Sequence, residues 1–158
     1  MPSPRIEICG GVASGKTTLA ALLKGEGLAA VFEDFRKNPF WKQFYSDPSR
    51  FAFETEITFL LQHLNQVKVA SEQVGLFVCD FSFVLDRAYV DVTLEERQRD
   101  AFLAVYEEAR RSLSPPGLVV HLRCGEGEEL ARIRRRGRDV ESRIQEEYLA
   151  ALNAAVEQ

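Results

Sequence analysis

The sequence predicts an α/β fold, a three-layer α/β/α arrangement around a mainly parallel sheet of about four strands, in one domain over residues 1–158. Three observations predict it. A glycine-rich loop near the N-terminus sits between an apolar strand-like run and a helix-forming run. Further short apolar runs alternate with stretches of helical period, as in βαβ units. A length of 158 residues with 46 % hydrophobic content suits one soluble domain with a real core.

The bulk numbers exclude several classes. A net charge of −4 speaks against a nucleic-acid surface, which needs a basic face. No apolar run approaches the roughly 18 residues of a membrane span, and Met1-Pro2-Ser3-Pro4 lacks the regions of a signal peptide. Cys9, Cys79 and Cys124 are odd in number and without C-x-x-C spacing, which suits reduced thiols. A cytoplasmic protein without membrane contact is expected.

Taken in order, the segment from Arg5 to Cys9 is the first strand. Gly10-Gly11-Val12-Ala13-Ser14-Gly15-Lys16-Thr17 follows with the G-x-x-x-x-G-K-[ST] spacing of a P-loop, and Thr18 continues into a helix ending near Lys24. Glycines allow successive N–H groups and the helix N-terminus to converge on one anion. Lys16 then reaches the β- and γ-phosphates of a nucleoside triphosphate, and the Thr17 hydroxyl ligates Mg²⁺. ATP with Mg²⁺ is the expected ligand.

Residues 28–32 form a short second strand ending in Glu33-Asp34, and ligands in open α/β sheets sit outside the carboxyl ends of strands. Asn38-Pro39 and Asp47-Pro48 break the chain. Over 48–71 the pattern Phe53, Ile57, Leu60, Leu61, Leu64, Val67 has helical period, with Asp47 or Ser49 as cap and Glu54 toward a pocket. Residues 76–80 are an unbroken apolar third strand ending in Asp80, the expected Mg²⁺-holding acid. Residues 81–91 are expected as a loop carrying Asp86-Arg87. Thr93-Leu94-Glu95-Glu96 reads as a capping box opening a helix with Phe102, Leu103, Val105, Tyr106, Ala109 and Leu113 on its apolar side.

Residues 118–122 are the fourth strand, and its His121 receives no role. The stretch 132–141 is the densest positive segment of the chain. Arg132 and Arg136 share a helix face, and Gly137 permits a bend that brings Arg138 toward the same point. Such guanidinium groups suit the charge that spreads over a phosphoryl group in transfer. Ile144, Tyr148, Leu149, Leu152 and Val156 mark a last amphipathic helix.

The order of these pieces resembles the deoxynucleoside kinase family, closest to the bacterial deoxyadenosine/deoxyguanosine kinase type. The resemblance rests on the P-loop, Glu33 followed by Asn38-Pro39-Phe40, Phe44-Tyr45-Ser46-Asp47-Pro48, Asp80-Phe81-Ser82 with Asp86-Arg87, and the arginine-rich lid over 132–141 followed by Tyr148-Leu149. It implies a P-loop kinase fold and transfer of the γ-phosphoryl of ATP to the 5′-hydroxyl of a deoxynucleoside, with purines favoured. Glu33 matches the general base, and Tyr45 and Glu141 match the residues that hold the sugar 3′-hydroxyl. Arg132, Arg136 and Arg138 match the lid arginines, while Phe53, Glu54, Asp86 and Arg87 match the nucleoside pocket. A homodimer through the long helices is a further expectation.

Three departures from the family are visible. Glu54 stands for a base-reading glutamine and His63 for an arginine about nine residues on, so a different base edge is expected. Guanine, with adjacent N–H donors, would satisfy an ionised Glu54, and adenine only a protonated one. Cys9 stands where glutamate is common. The expected fifth strand is missing, which predicts loose recognition of the donor base. Two other readings remain at this point: a nucleoside-monophosphate or small-metabolite kinase, for which Arg36, Lys37 and Lys42 could supply an acceptor-phosphate cluster, and a nucleotide-binding regulator without catalysis.

Overall fold

The computed structural model describes residues 4–158; residues 1–3, part of the segment read for a signal peptide, lie outside it. Four strands, β1 (Arg5–Gly10), β2 (Ala29–Val31), β3 (Phe77–Cys79) and β4 (Leu118–Leu122), form one parallel sheet in the order β2-β3-β1-β4. The short runs predicted from apolar patterning are the observed strands, shortened at β2 and β3.

Side-chain alternation along β1 divides the layers. Ile6 and Ile8 face α1 (Lys16–Gly25), where Ala20, Val78 and Leu23 complete one apolar cluster. On the opposite face Cys9 packs with Leu85 and Ala88 of α4 (Phe83–Thr93) and Leu149, Leu152 and Val156 of α7 (Glu146–Val156). Phe77 and Cys79 meet Leu60 and Val67 of α3 (Pro48–Gln73) and Phe102 and Tyr106 of α5 (Glu96–Arg111). Two short helices complete the set, α2 (Trp41–Ser46) and α6 (Glu126–Arg136). The expected α/β/α layering is present. Among the described residues β4 pairs only with β1, and its Leu118 and Val119 are exposed.

Glu7 shows how the sheet positions the next helix. Its carboxylate is buried in β1, accepts from Arg5 Nε at 2.7 Å and accepts from the Phe83 backbone N–H at 3.2 Å. A buried charge paired in this way anchors the first turn of α4 against the sheet.

Three local expectations are corrected. Residues 83–93 are a helix and not a loop: Ser82 caps it by accepting from Leu85 N–H, and Phe83, Leu85, Ala88 and Val90 are buried. Burial between the sheet, α3 and α7 outweighs the weak helix propensity of so many β-branched and aromatic residues. Thr93 closes α4, donating to the Tyr89 carbonyl at 2.7 Å, so no capping box opens α5. On α3, Leu61 is exposed, because the helix turns Ala52, Leu60 and Val67 to the core and Thr55, Glu56 and His63 elsewhere. No described helix is long and apolar enough to cross a membrane.

Candidate active site

The carboxyl ends of β1, β2 and β3 open onto one cavity of about 670 Å³. Its lining runs from the P-loop through Glu33 to the inward face of α3, and the arginine-rich segment forms another wall.

At one end the loop between β1 and α1 follows from its glycines. Gly15 has φ of 104°, which L side chains rarely adopt, and a Cβ on Gly11 would overlap Glu129 and Asn153. Lys16 Nζ donates to the carbonyls of Gly10 at 3.0 Å and Gly11 at 2.7 Å, so its ammonium lies over the loop it would serve. Burial lowers the Lys16 pKa, and the nearby Glu33 and Asp80 carboxylates oppose this.

Asp80 ends β3 beside this loop. Its Oδ2 accepts from Thr17 Oγ1 at 2.7 Å, and its Oδ1 accepts from the Glu33 backbone N–H at 2.7 Å. Hydroxyl and carboxylate oxygens thus stand together at the P-loop mouth. Among the described residues no three His, Cys, Asp or Glu side chains cluster as a metal cage. This donor set fits Mg²⁺, which takes one or two protein oxygens and completes its shell with water and phosphate.

The arginines predicted from spacing do converge. Arg132, Arg136 and Arg138 all line the cavity, with Arg132 Nη1 donating to the Ala13 carbonyl at 3.3 Å. Arg136 holds buried Glu141 through two bonds, Nε to Oε2 at 2.9 Å and Nη2 to Oε1 at 2.6 Å, while Arg138 Nη1 reaches Oε1 at 3.3 Å. Arg138 also lies over the Phe35 ring at 4.4 Å. Glu141 therefore ties the arginine segment to the wall that carries Tyr45. Burial first, and Glu141 second, raises the Tyr45 pKa, so the phenol keeps its proton.

At the other end the residues are acidic and mostly buried. Glu33 keeps its side chain about a third exposed, and its Oε1 lies 2.9 Å from His63 Nε2. Burial would raise its pKa, but the hydrogen bond and charge of His63, with Lys16, hold it below the usual value. Asp86, from α4, lies behind His63. Glu56 points into the cavity from α3, and burial, with Asp86 and Glu33 adding, pushes its carboxyl well above the usual range. Thr55, Phe59, Phe81 and Tyr89 complete this end.

The structure thus brings most of the predicted residues to one cavity; besides Gly10 and Gly11 of the P-loop, three lie away from it. Glu54 does not line it. At 3.6 residues per turn Glu54 projects about 200° around the helix from Glu56, and its Oε2 is buried without a hydrogen-bond partner. Glu56 takes the pocket position instead. Phe53 packs against the core cluster of Leu60 and Phe102. Arg87, one residue beyond inward-facing Asp86, turns to the surface and pairs with Asp91 at 3.0 Å. His63 and Phe59 were the less visible contributors. They fall on the Glu56 stripe of α3 at helical spacing, and that spacing was the available signal. Arg36, Lys37 and Lys42 are exposed and none lines the cavity.

Comparison with known proteins agrees with this geometry. The deoxynucleoside kinase family model matches residues 6–158. The chain is 26 % identical over 155 residues to deoxyguanosine kinase of Bacillus subtilis, covering 95 % of the chain and 75 % of that protein. It is 29 % identical over 153 residues to deoxyadenosine kinase of Dictyostelium discoideum, covering 93 % of the chain but only 62 % of that relative. The fold superposes on deoxyadenosine kinase from M. mycoides with dCMP and dCDP bound at a TM-score of 0.86 and 26 % identity, covering 97 % of this chain and 81 % of that one. The same enzyme with bound dATP gives a TM-score of 0.85 at 26 % identity, covering 97 % and 82 %. A P-loop facing an acidic pocket across a wall of arginines, in a chain matched by the family from its first strand to its last residue, makes this protein a member of the deoxynucleoside kinase family.

Proposed function

We propose that the protein transfers the γ-phosphoryl group of ATP to the 5′-hydroxyl of a purine deoxynucleoside. The observation that carries this reading is the placement of Glu33 in one cavity with Lys16, Thr17, Asp80 and the three arginines. The P-loop end takes the triphosphate. Mg²⁺, held by Thr17 and Asp80, would neutralise phosphate charge. In the reaction the 5′-oxygen bonds to the γ-phosphorus, the bond to the β–γ bridging oxygen breaks, and ADP leaves. The hydroxyl proton passes to Glu33. A carboxylate with a depressed pKa is a weak base toward an alcohol, so transfer is late and the main service of Glu33 is to aim the hydroxyl. Arg132 and Arg136 stabilise charge on the moving phosphoryl group.

Tyr45 and Glu141 are positioned for the sugar hydroxyl, a phenol and a carboxylate for a group that both donates and accepts. Glu56 serves the base. A protonated carboxyl offers one donor and one acceptor, the pattern of a glutamine, and so suits an adenine edge, whereas the two adjacent N–H donors of guanine call for an ionised group. The exposed positions of Arg36, Lys37 and Lys42 favour an uncharged acceptor over a monophosphate. Two copies would pair through the outer faces of α3 and α5, where Leu61, Val69 and Val105 are exposed; sedimentation of a monomer alone would reject that pairing. Three free cysteines accord with a reducing, cytoplasmic setting.

The test is ADP release with Mg·ATP against deoxynucleosides, ribonucleosides and monophosphates. Turnover with deoxyadenosine or deoxyguanosine is expected. Activity confined to monophosphates would refute the acceptor, and none with any would favour a regulator.

A further inference from the structure

His63 does not sit in the cavity as an ordinary wall residue. Its Nε2 lies 2.9 Å from Glu33 Oε1, and its Nδ1 lies 3.0 and 2.9 Å from the two oxygens of Asp86. An imidazole with a carboxylate on each nitrogen satisfies both only when both nitrogens carry hydrogen. The ring has little freedom to do anything else. It stacks on Phe81 with centroids 4.0 Å apart and planes 6° from parallel, and Phe59 lies at 5.9 Å on the same helix. Its side chain is 2 % exposed. The titratable groups that face it are Asp86 from α4, Glu33 from the end of β2 and Glu56 from its own helix. All three are acidic.

We propose that His63 is a positioning residue that acts through Glu33: a cationic bridge, anchored by Asp86, that fixes one oxygen of the Glu33 carboxylate and leaves Oε2 to face the acceptor hydroxyl. The proposal rests on the reading of Glu33 as the group that receives the hydroxyl proton. A free glutamate at a strand end has three rotatable bonds and would spread its oxygens over many directions. Pinning Oε1 removes most of that freedom before substrate arrives, which is the kind of preorganisation that lowers a barrier.

The charges also balance through the step. Before transfer, one imidazolium lies between two carboxylates. When the hydroxyl proton reaches Glu33 Oε2, Glu33 becomes neutral and Asp86 remains as counter-ion to His63. His63 is already fully protonated, so it keeps its own protons and takes none from Glu33. Desolvation works against a charged His63, yet Asp86 and Glu33 together raise its pKa to about 10, in agreement with the geometry.

Two measurements test the bridge. Nitrogen-15 NMR of the histidine rings in the wild-type protein needs no turnover, and His121→Gln assigns the signals because the chain has two histidines. Both His63 nitrogens are expected to stay protonated from pH 6 to 8.5. A His63 signal that titrates near its ordinary value, or one bare nitrogen at neutral pH, overturns the proposal. The second measurement is kinetic. His63→Ala is expected to lower kcat roughly 10- to 100-fold with the nucleoside KM little changed, and His63→Gln, which keeps one N–H donor, to recover part of the loss. Wild-type kcat in His63→Ala overturns the proposal, as does a loss that falls entirely on KM. If the wild-type protein phosphorylates no nucleoside, the functional reading fails, and the NMR result still decides whether the bridge exists.

Discussion

The two ends of the cavity are built from different materials. The P-loop end consists of backbone N–H groups and long cationic side chains, with Arg132, Arg136 and Arg138 side chains 41 %, 31 % and 38 % exposed. The acceptor end consists of short titratable side chains inside the protein, with His63 and Asp86 side chains 2 % and 6 % exposed. A polyphosphate brings its own charge and metal, so the donor end needs only converging donors. A nucleoside is neutral, so the acceptor end must read it with buried, oriented groups whose protonation is fixed in advance. The donor end should therefore fail by losing charge, and the acceptor end by losing orientation.

At the donor end the largest effect is expected from the P-loop lysine. Lys16→Ala should weaken ATP binding and lower turnover together, by about 10²- to 10³-fold in kcat, the size of a lost transition-state donor. Filter binding of ATP beside a kcat measurement checks both parts. Glu56→Ala should next raise the nucleoside KM roughly 10-fold or more, the cost of one lost buried hydrogen bond. Glu56→Gln should keep KM near the wild-type value, because the amide offers the same donor and acceptor as the protonated carboxyl. Equal losses in both variants would show that Glu56 reads the base as a carboxylate.

A smaller effect concerns pH. The His63 pKa rises from 6.5 to about 10 on folding, so folding favours its protonated form. Its stabilisation is complete below pH 6.5 and is lost as pH rises through about 10. The Tm advantage of wild type over His63→Gln should shrink across that window; an advantage that grows with pH would reverse the sign. The smallest effects lie outside the cavity. Asp47→Ala, which removes the cap accepting from Arg50 N–H at the start of α3, should cost about 1 kcal/mol in denaturant unfolding without changing KM. Arg87→Ala should cost at most about 0.5 kcal/mol, as for an exposed helix ion pair, and leave nucleoside binding intact.

What could be read from the sequence divides along the same line. The donor end was legible because the P-loop motif fixes its own geometry, and because Arg132 and Arg136 at i, i+4 share a face whatever they meet. All four strands were legible as apolar runs. The acceptor end was not, since it depends on the rotation of α3. A shift of two residues separates Glu54 from Glu56 on that helix, and sequence alone does not show which face turns inward. The stretch 81–91, expected as a loop, holds most of the helix at 83–93 for a related reason: its β-branched and aromatic residues are weak helix formers, and burial against α3 and α7 makes them helical. His63 stands in the sequence as a departure from the family, and only the fold places Glu33 and Asp86 at its two nitrogens.

The central claim is that one cavity holds ATP at one end and aims an acceptor hydroxyl from the other through Glu33. Glu33→Gln, measured for both ATP affinity and nucleoside turnover, tests it most directly. ATP binding should remain at the wild-type level while kcat with a purine deoxynucleoside falls about 10²- to 10⁴-fold, the range for removal of a general base. Full turnover in Glu33→Gln would contradict it.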